Sequence, residues 1–339
     1  MKVVRLHGLG DLRLHEEPKP SPQEGDALLR VGGIGICASD LHWFCEGSIG
    51  DARLARPLVL GHEFGATVVE SEDPRLAAGT RVAVDPAVPC EQCEFCMHGD
   101  PNLCENLRFA GHGEDDGAQR EYMSWPARCC FPIPDSFSDA DAAMLEPLGI
   151  ALHAVDLGHL KTGMSVGVYG CGPIGLLALQ VARLAGAAEI YASDLYPHRL
   201  DAARALGASG VFQAGSGEEA AQVMAATKGR GVDVAFEAAG ENPAVETAIE
   251  TARPGGRVVL IGIPTEDQTR FKASTARRKG LTIALVRRMK LTYPRAITLV
   301  AKGWVEVRSL VTHYFPLVQF TQAFEVAVQR KGIKIILEA

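Results

Sequence analysis

At 339 residues the chain is long enough for two domains, and its 47% hydrophobic and 22% charged content is that of a soluble globular protein. A formal net charge of −7 argues against a nucleic-acid partner, which would call for a basic surface. The N-terminal MKVVRLHGLGDLRL lacks the apolar core of a secretion signal, so a cytoplasmic setting is expected and a disulfide framework is not.

The first half reads as short strands punctuated by Gly, Pro and Asp: ALLRVGGIGI (27–36), GATVVE (65–70) and GTRVAVDP (79–86). That texture predicts a β-rich, barrel-like domain. Along it, GICASDLH supplies Cys37 and VLGHEFG supplies His62 and Glu63. Next, CEQCEFCMHGDPNLC (90–104) spaces Cys90, Cys93, Cys96 and Cys104 as C-x2-C-x2-C-x7-C. Thiolates at that density predict a structural zinc, since tetrahedral sulfur coordination leaves no position for a substrate. The opening spacing also suits iron–sulfur ligation, but the fourth cysteine comes too late for it. MLEPLG then adds Glu146. Cys37, His62, Glu63 and Glu146 together form a thiolate, imidazole and carboxylate set suited to a second, catalytic zinc with one position open. Cys45, Cys129, Cys130 and Cys171 are expected to pack as small apolar residues.

Near Pro147 the rhythm changes to alternating strands and helices. SVGVY, EIYASD, GVFQA, GVDVAFEAAG, RVVLIGI and GLTIALV are apolar strand-like runs joined by helical stretches, the pattern of a parallel, doubly wound sheet. The uncharged span 164–182 is about as long as a membrane helix, but Gly167, Gly170, Gly172, Pro173 and Gly175 make it a strand, a turn and a helix. No membrane partner is expected. Gly170, Gly172 and Gly175 form G-x-G-x-x-G after a buried strand, and Asp194 follows Gly175 by 19 residues at the end of the next strand. That combination predicts a dinucleotide on the helix N-terminus, with Asp194 accepting from the ribose hydroxyls and favouring NAD over NADP. Arg199 is placed either against the adenine or on the surface. After about Arg288 the alternation stops. TYPRAITLVAKG and VQFTQAFEVAVQR read as helices around a strand, and IKIILEA reads as a final strand returning to the first domain.

GHEFG, the four-cysteine segment, CGPIG and LEPL resemble the zinc-containing medium-chain dehydrogenases/reductases over essentially the whole chain. ICASDLH, DDG, LEPLGIALHA, TYPRAI, LVTHYFPL and AFEVAVQRKGIKIIL are similar to the sorbitol (L-iditol) and polyol dehydrogenase branch. The resemblance implies an α/β chain with a GroES-like catalytic domain (1–147 and 288–339, zinc lobe about 88–106) and a Rossmann domain (148–287). It also implies two Zn2+ per chain, NAD, a polyol substrate and a homotetramer. Cys37, His62 and Glu63 stand where that branch binds catalytic zinc, and Glu146 where a carboxylate ligates the metal or holds its water. Ser39 falls at the residue that hydrogen-bonds the reacting oxygen, and His42 where related enzymes pass the proton to solvent. Arg288 matches an arginine contacting polyol hydroxyls, and Phe109 a substrate position. Pro173, Ile174, Ile261, Gly262, Ile263 and Arg288 are assigned to the coenzyme site. Three departures fall at substrate positions: Trp43 where the branch often has Tyr, His112 where it can carry Thr, and Arg287-Arg288-Met289 where it often has Phe-Arg-Tyr. They leave the particular polyol open. An L-threonine dehydrogenase and a non-catalytic coenzyme-binding protein are the other readings.

Overall fold

The computed structural model describes residues 1–339 and divides the chain into two units, Met1–Glu146 with Tyr293–Ala339, and Pro147–Thr292. The first boundary lies one residue from the sequence expectation. The return falls at Tyr293, five residues later than expected, so Arg287, Arg288 and Met289 belong to the second unit.

The first unit is built on a seven-stranded sheet with strand Asp26–Gly35 at its centre. That strand pairs antiparallel with Glu63–Ser71, Tyr122–Pro126 and Lys334–Glu338, so the end of the chain does rejoin its beginning. The sequence explains how a helix can sit flat on it. A Cβ at Gly33 would lie 2.9 Å from the backbone of Asp139, and one at Gly65 would run into Ala142, so helix Asp139–Ala143 packs where the strands carry no side chain. Strand residues Leu29, Ile34, Phe64, Val82 and Leu337 are almost fully buried and form the core with Trp43, Trp125 and Phe324. A separate three-stranded sheet joins Asp11–Glu16, Lys2–Gly8 and Leu58–Val59.

The second unit holds a six-stranded, wholly parallel sheet. Its order is Gly210–Gln213, Glu189–Asp194, Ser165–Tyr169, Val232–Glu237, Ala252–Leu260, Thr282–Leu285. Ser165–Tyr169 and Val232–Glu237 are buried along their whole length, which accounts for their lack of polar alternation. The order reverses between these two strands. In open parallel sheets that switch point, at the strands' carboxyl ends, is where ligands bind.

Candidate active site

In the first unit Cys37 precedes helix Ala38–Glu46, and the chain there is fixed by Asp40 three residues on. Asp40 is 1% exposed; its carboxylate accepts from the backbone N–H of Cys37 (2.9 Å) and of Gly61 (3.2 Å) and lies 3.6 Å from His62 Nδ1. One buried side chain thus ties the Cys37 turn to the His62 turn. Glu63 opens strand Glu63–Ser71 directly across from Gly35, where a Cβ would collide with the Glu63 carboxylate. The glycine leaves the space that carboxylate occupies. From the last strand, the buried Lys334 donates to Ile36 O (3.2 Å) and to Glu63 Oε2.

Cys37, His62 and Glu63 therefore meet with their ligand atoms within 4.8 Å of one another. Glu146, in the first turn of helix Leu145–Gly158, is 4% exposed and lies outside that close trio. Burial pushes its carboxyl pKa up, His62 pulls it down and Glu63 raises it again. Burial disfavours a charged His62 ring, but Asp40 and Cys37 outweigh it and hold the ring well above the ordinary histidine range.

Ser39 Oγ lies 3.4 Å from His62 Nε2, on the side of the ring away from Asp40. His42 turns towards Glu46, 3.0 Å from Nδ1 to Oε2, and both are partly exposed. The Phe109 ring stands 5.3 Å from that of His62. Trp43 does not line an open surface: it is 2% exposed within the core and meets half-buried His112 edge-on at 5.4 Å.

Cys90, Cys93, Cys96 and Cys104 form the second cluster, again with ligand atoms within 4.8 Å. Backbone N–H groups point at its sulfurs, Cys90 N to Cys104 Sγ at 3.2 Å and Cys93 N to Cys90 Sγ at 3.4 Å. The N–H groups of Gln92 and Cys93 draw the Cys90 thiol down to about 6. Of the other cysteines, Cys129, Cys130 and Cys171 are buried as expected, whereas Cys45 is exposed.

In the second unit Gly170 has φ +98°, and a Cβ there would lie 2.7 Å from the nitrogen of Ala239. Gly172 caps helix Pro173–Leu184 with room where a side chain would stand, and a Cβ on Gly175 would strike the Gly170 carbonyl, so Gly170 and Gly175 are required by geometry. Asp194 is already engaged: its oxygens accept from Cys171 N (2.7 Å) and Tyr196 N (2.8 Å). Arg199 approaches it to 3.9 Å and lies over the Tyr196 ring at 5.0 Å. Ile261, Gly262 and Ile263 follow the end of strand Ala252–Leu260, and Ile263 is 48% exposed. Arg288 has φ +55° in the stretch after strand Thr282–Leu285.

The alcohol dehydrogenase GroES-like domain profile matches residues 23–135, and the zinc-binding dehydrogenase profile matches 173–302. Sorbitol dehydrogenase of Bacillus subtilis is 34% identical over 98% of this chain and 95% of its own length. The human sorbitol dehydrogenase is 37% identical, over 98% and 94%. The crystal structure of L-idonate 5-dehydrogenase from Escherichia coli superposes with a TM-score of 0.92 at 27% identity, covering 100% of this chain and 98% of that one. The chain belongs to the zinc-containing medium-chain dehydrogenase/reductase family.

Within that family it falls in the sorbitol and polyol dehydrogenase branch and uses zinc and NAD. The donor sets fit the metal, for zinc takes four thiolates in closed sites and mixed sulfur, nitrogen and oxygen ligands in open ones. Asp40 and Lys334 were not singled out from the sequence. Asp40 reads there as an ordinary acidic residue in the first turn of a helix, and Lys334 as one more charge in a terminal KGIK. Only long-range strand pairing brings Lys334 to Glu63.

Proposed function

We propose that this dehydrogenase oxidises a secondary hydroxyl of a polyol of the sorbitol, xylitol or galactitol kind, passing hydride to NAD and leaving a ketose. The observation that carries the reading is the buried trio Cys37, His62 and Glu63 with the Ser39 hydroxyl beside it. These three residues would hold the catalytic zinc, with Glu146 facing it either directly or across a water, and Cys90, Cys93, Cys96 and Cys104 would hold the structural one. Zinc supplies Lewis acidity towards the substrate oxygen, and NAD supplies the hydride acceptor.

The protein's own groups do the rest. Cys37 and Glu63 bring negative charge to the metal position, and Lys334 offsets part of it while holding Glu63 in place. Asp40 orients the His62 ring, as outer carboxylates do for metal-ligating histidines. Ser39 Oγ accepts the hydroxyl proton as it passes its own on, and His42 with Glu46 offers that relay an exit to water. Phe109 and His112 shape the substrate side, and the family likeness assigns Arg288 to the polyol hydroxyls. The first unit is the catalytic domain and the second the coenzyme domain, with Gly170, Gly172, Pro173, Ile174 and Gly175 on the pyrophosphate. Asp194 and Arg199 face the adenosine. A homotetramer in the cytoplasm, free of nucleic acid and membrane partners, completes the reading; its support is the family likeness and the net charge of −7.

The test is NADH formation over a panel of polyols, with L-threonine and a simple secondary alcohol alongside, each run with NAD and NADP and repeated after a strong chelator. Chelator-sensitive reduction of NAD by one or two polyols is expected. Activity on L-threonine with none on any polyol would overturn the substrate class.

A further inference from the structure

The coenzyme side of the second unit depends on a residue outside every motif discussed so far. Glu237 ends strand Val232–Glu237, next to the first strand of the sheet, and is 1% exposed. A carboxylate so buried needs donors, and it has them. Its Oε1 accepts from the N–H of Ala239 (2.8 Å) and of Gly240 (2.7 Å), and its main-chain carbonyl accepts from Ile261 (2.8 Å) and Gly262 (3.3 Å). The next residue, Ala238, donates to the carbonyl of Tyr169, immediately before the first glycine of the G-x-G-x-x-G turn (2.8 Å).

Three turns thus converge at Glu237. They contact one another through bare backbone. A Cβ at Gly170 would lie 2.8 Å from the carbonyl carbon of Ala238, one at Gly240 would lie 2.5 Å from Ile263 O, and one at Gly262 would strike Gly240. With no side chains between them, the turns have no packing of their own to fix their spacing. The middle one is tied to the first at Ala238, and beyond that residue it is held by the Glu237 carboxylate below it, which accepts two consecutive N–H groups.

We propose that Glu237 is a positioning residue for the coenzyme: by holding the 238–241 turn it sets the distance between the Gly170 turn and Ile261–Ile263, the two walls assigned to the dinucleotide. This rests on the coenzyme reading of those turns. The charge type matters as well as the shape. A carboxylate only accepts hydrogen bonds, whereas an amide of the same size presents an NH2 on one side to a pocket of N–H donors.

The experiment is NADH titration of zinc-loaded wild type, Glu237→Gln and Glu237→Asp by fluorescence, with zinc content and circular dichroism as controls. Wild type that fails to bind NADH would refute the coenzyme reading itself. Given binding, Glu237→Gln should keep its fold and two zinc ions yet bind NADH about tenfold more weakly. KM for NAD should rise in step while kcat at saturating NAD changes less than about threefold, the signature of lost uniform binding. Glu237→Asp, with the charge kept but withdrawn, should fall between. A folded Glu237→Gln with wild-type NADH affinity would overturn the proposal. Should that variant not fold, hydrogen exchange on wild type decides. The 238–241 amides should exchange slowly with and without NADH, and fast exchange in the free enzyme would show that the turn is not held in advance.

Discussion

The two cysteine-bearing clusters of the first unit are built in opposite ways. Cys90, Cys93, Cys96 and Cys104 come from one short stretch, three of them half-buried, with sulfurs touched by neighbouring backbone N–H groups. Cys37, His62 and Glu63 come from a helix start and a strand start, and are braced by the nearby Asp40 and Gly35 and by Lys334 from the last strand. A closed tetrahedral site is satisfied once four thiolates are within reach, so local chain can build it. An open site must hold fewer ligands at fixed positions without the metal's own geometry completing the shell, so the surrounding fold has to impose them.

The sharpest way to break this contrast is to remove one ligand from each cluster. Cys37→Ser should lower kcat at saturating NAD by on the order of a thousandfold or more, because the Lewis acid is lost, while bound zinc falls from two to one per chain. Metal analysis with steady-state kinetics checks it, and full activity would sink the assignment of an open site. Cys96→Ser should do the reverse. Its zinc count also falls by one and its stability drops by several kcal/mol, yet the protein that stays folded should keep kcat within about twofold. Thermal melting paired with active-site titration separates the two effects.

A finer probe asks whether the bracing of the open site matters. Lys334→Met removes the cation that holds Glu63 and keeps a buried stem of similar length. Zinc affinity of the open site should fall about 10- to 100-fold, as is usual for outer partners of metal ligands, with the four-cysteine site unchanged. Competition with a graded chelator reads the two affinities separately. Equal loss at both sites would point to general destabilisation.

That asymmetry also explains how far the sequence could be read. The four-cysteine segment and the G-x-G-x-x-G turn with Asp194 declare themselves because their partners lie at short, fixed spacings. Six parallel strands were visible as apolar runs for the same reason. The open site is different, for nothing local links Cys37 to Glu63; ligand chemistry grouped them and the family likeness agreed. Lys334 escaped notice because its contact with Glu63 spans almost the whole chain and depends on strand register. Trp43, expected at the substrate, is buried on helix Ala38–Glu46 and stands against His112. One-dimensional patterning does not say which helix face will be buried.

Another buried carboxylate shows how partners can outweigh burial. Asp233 in the second unit accepts from Ser165 N (2.9 Å) and Ser165 Oγ (3.1 Å) and pairs with Arg230 and Arg253. Burial pushes its pKa up, but the two arginines and Ser165 outweigh that and hold the carboxyl well below the usual carboxylate range. Glu146 moves the other way, because burial dominates there and Glu63 adds to it against the pull of His62. The sign for stability follows. A folded pKa depressed below the unfolded value of about 4 contributes stability that is fully present above about pH 4 and lost as pH falls through the folded value. Asp233→Asn should therefore cost about 2–3 kcal/mol at pH 7, and its disadvantage should shrink steadily below pH 4. Urea melts from pH 7 down to pH 3 test this. A disadvantage independent of pH would mean that shape at Asp233, not its charge, holds this end of the sheet.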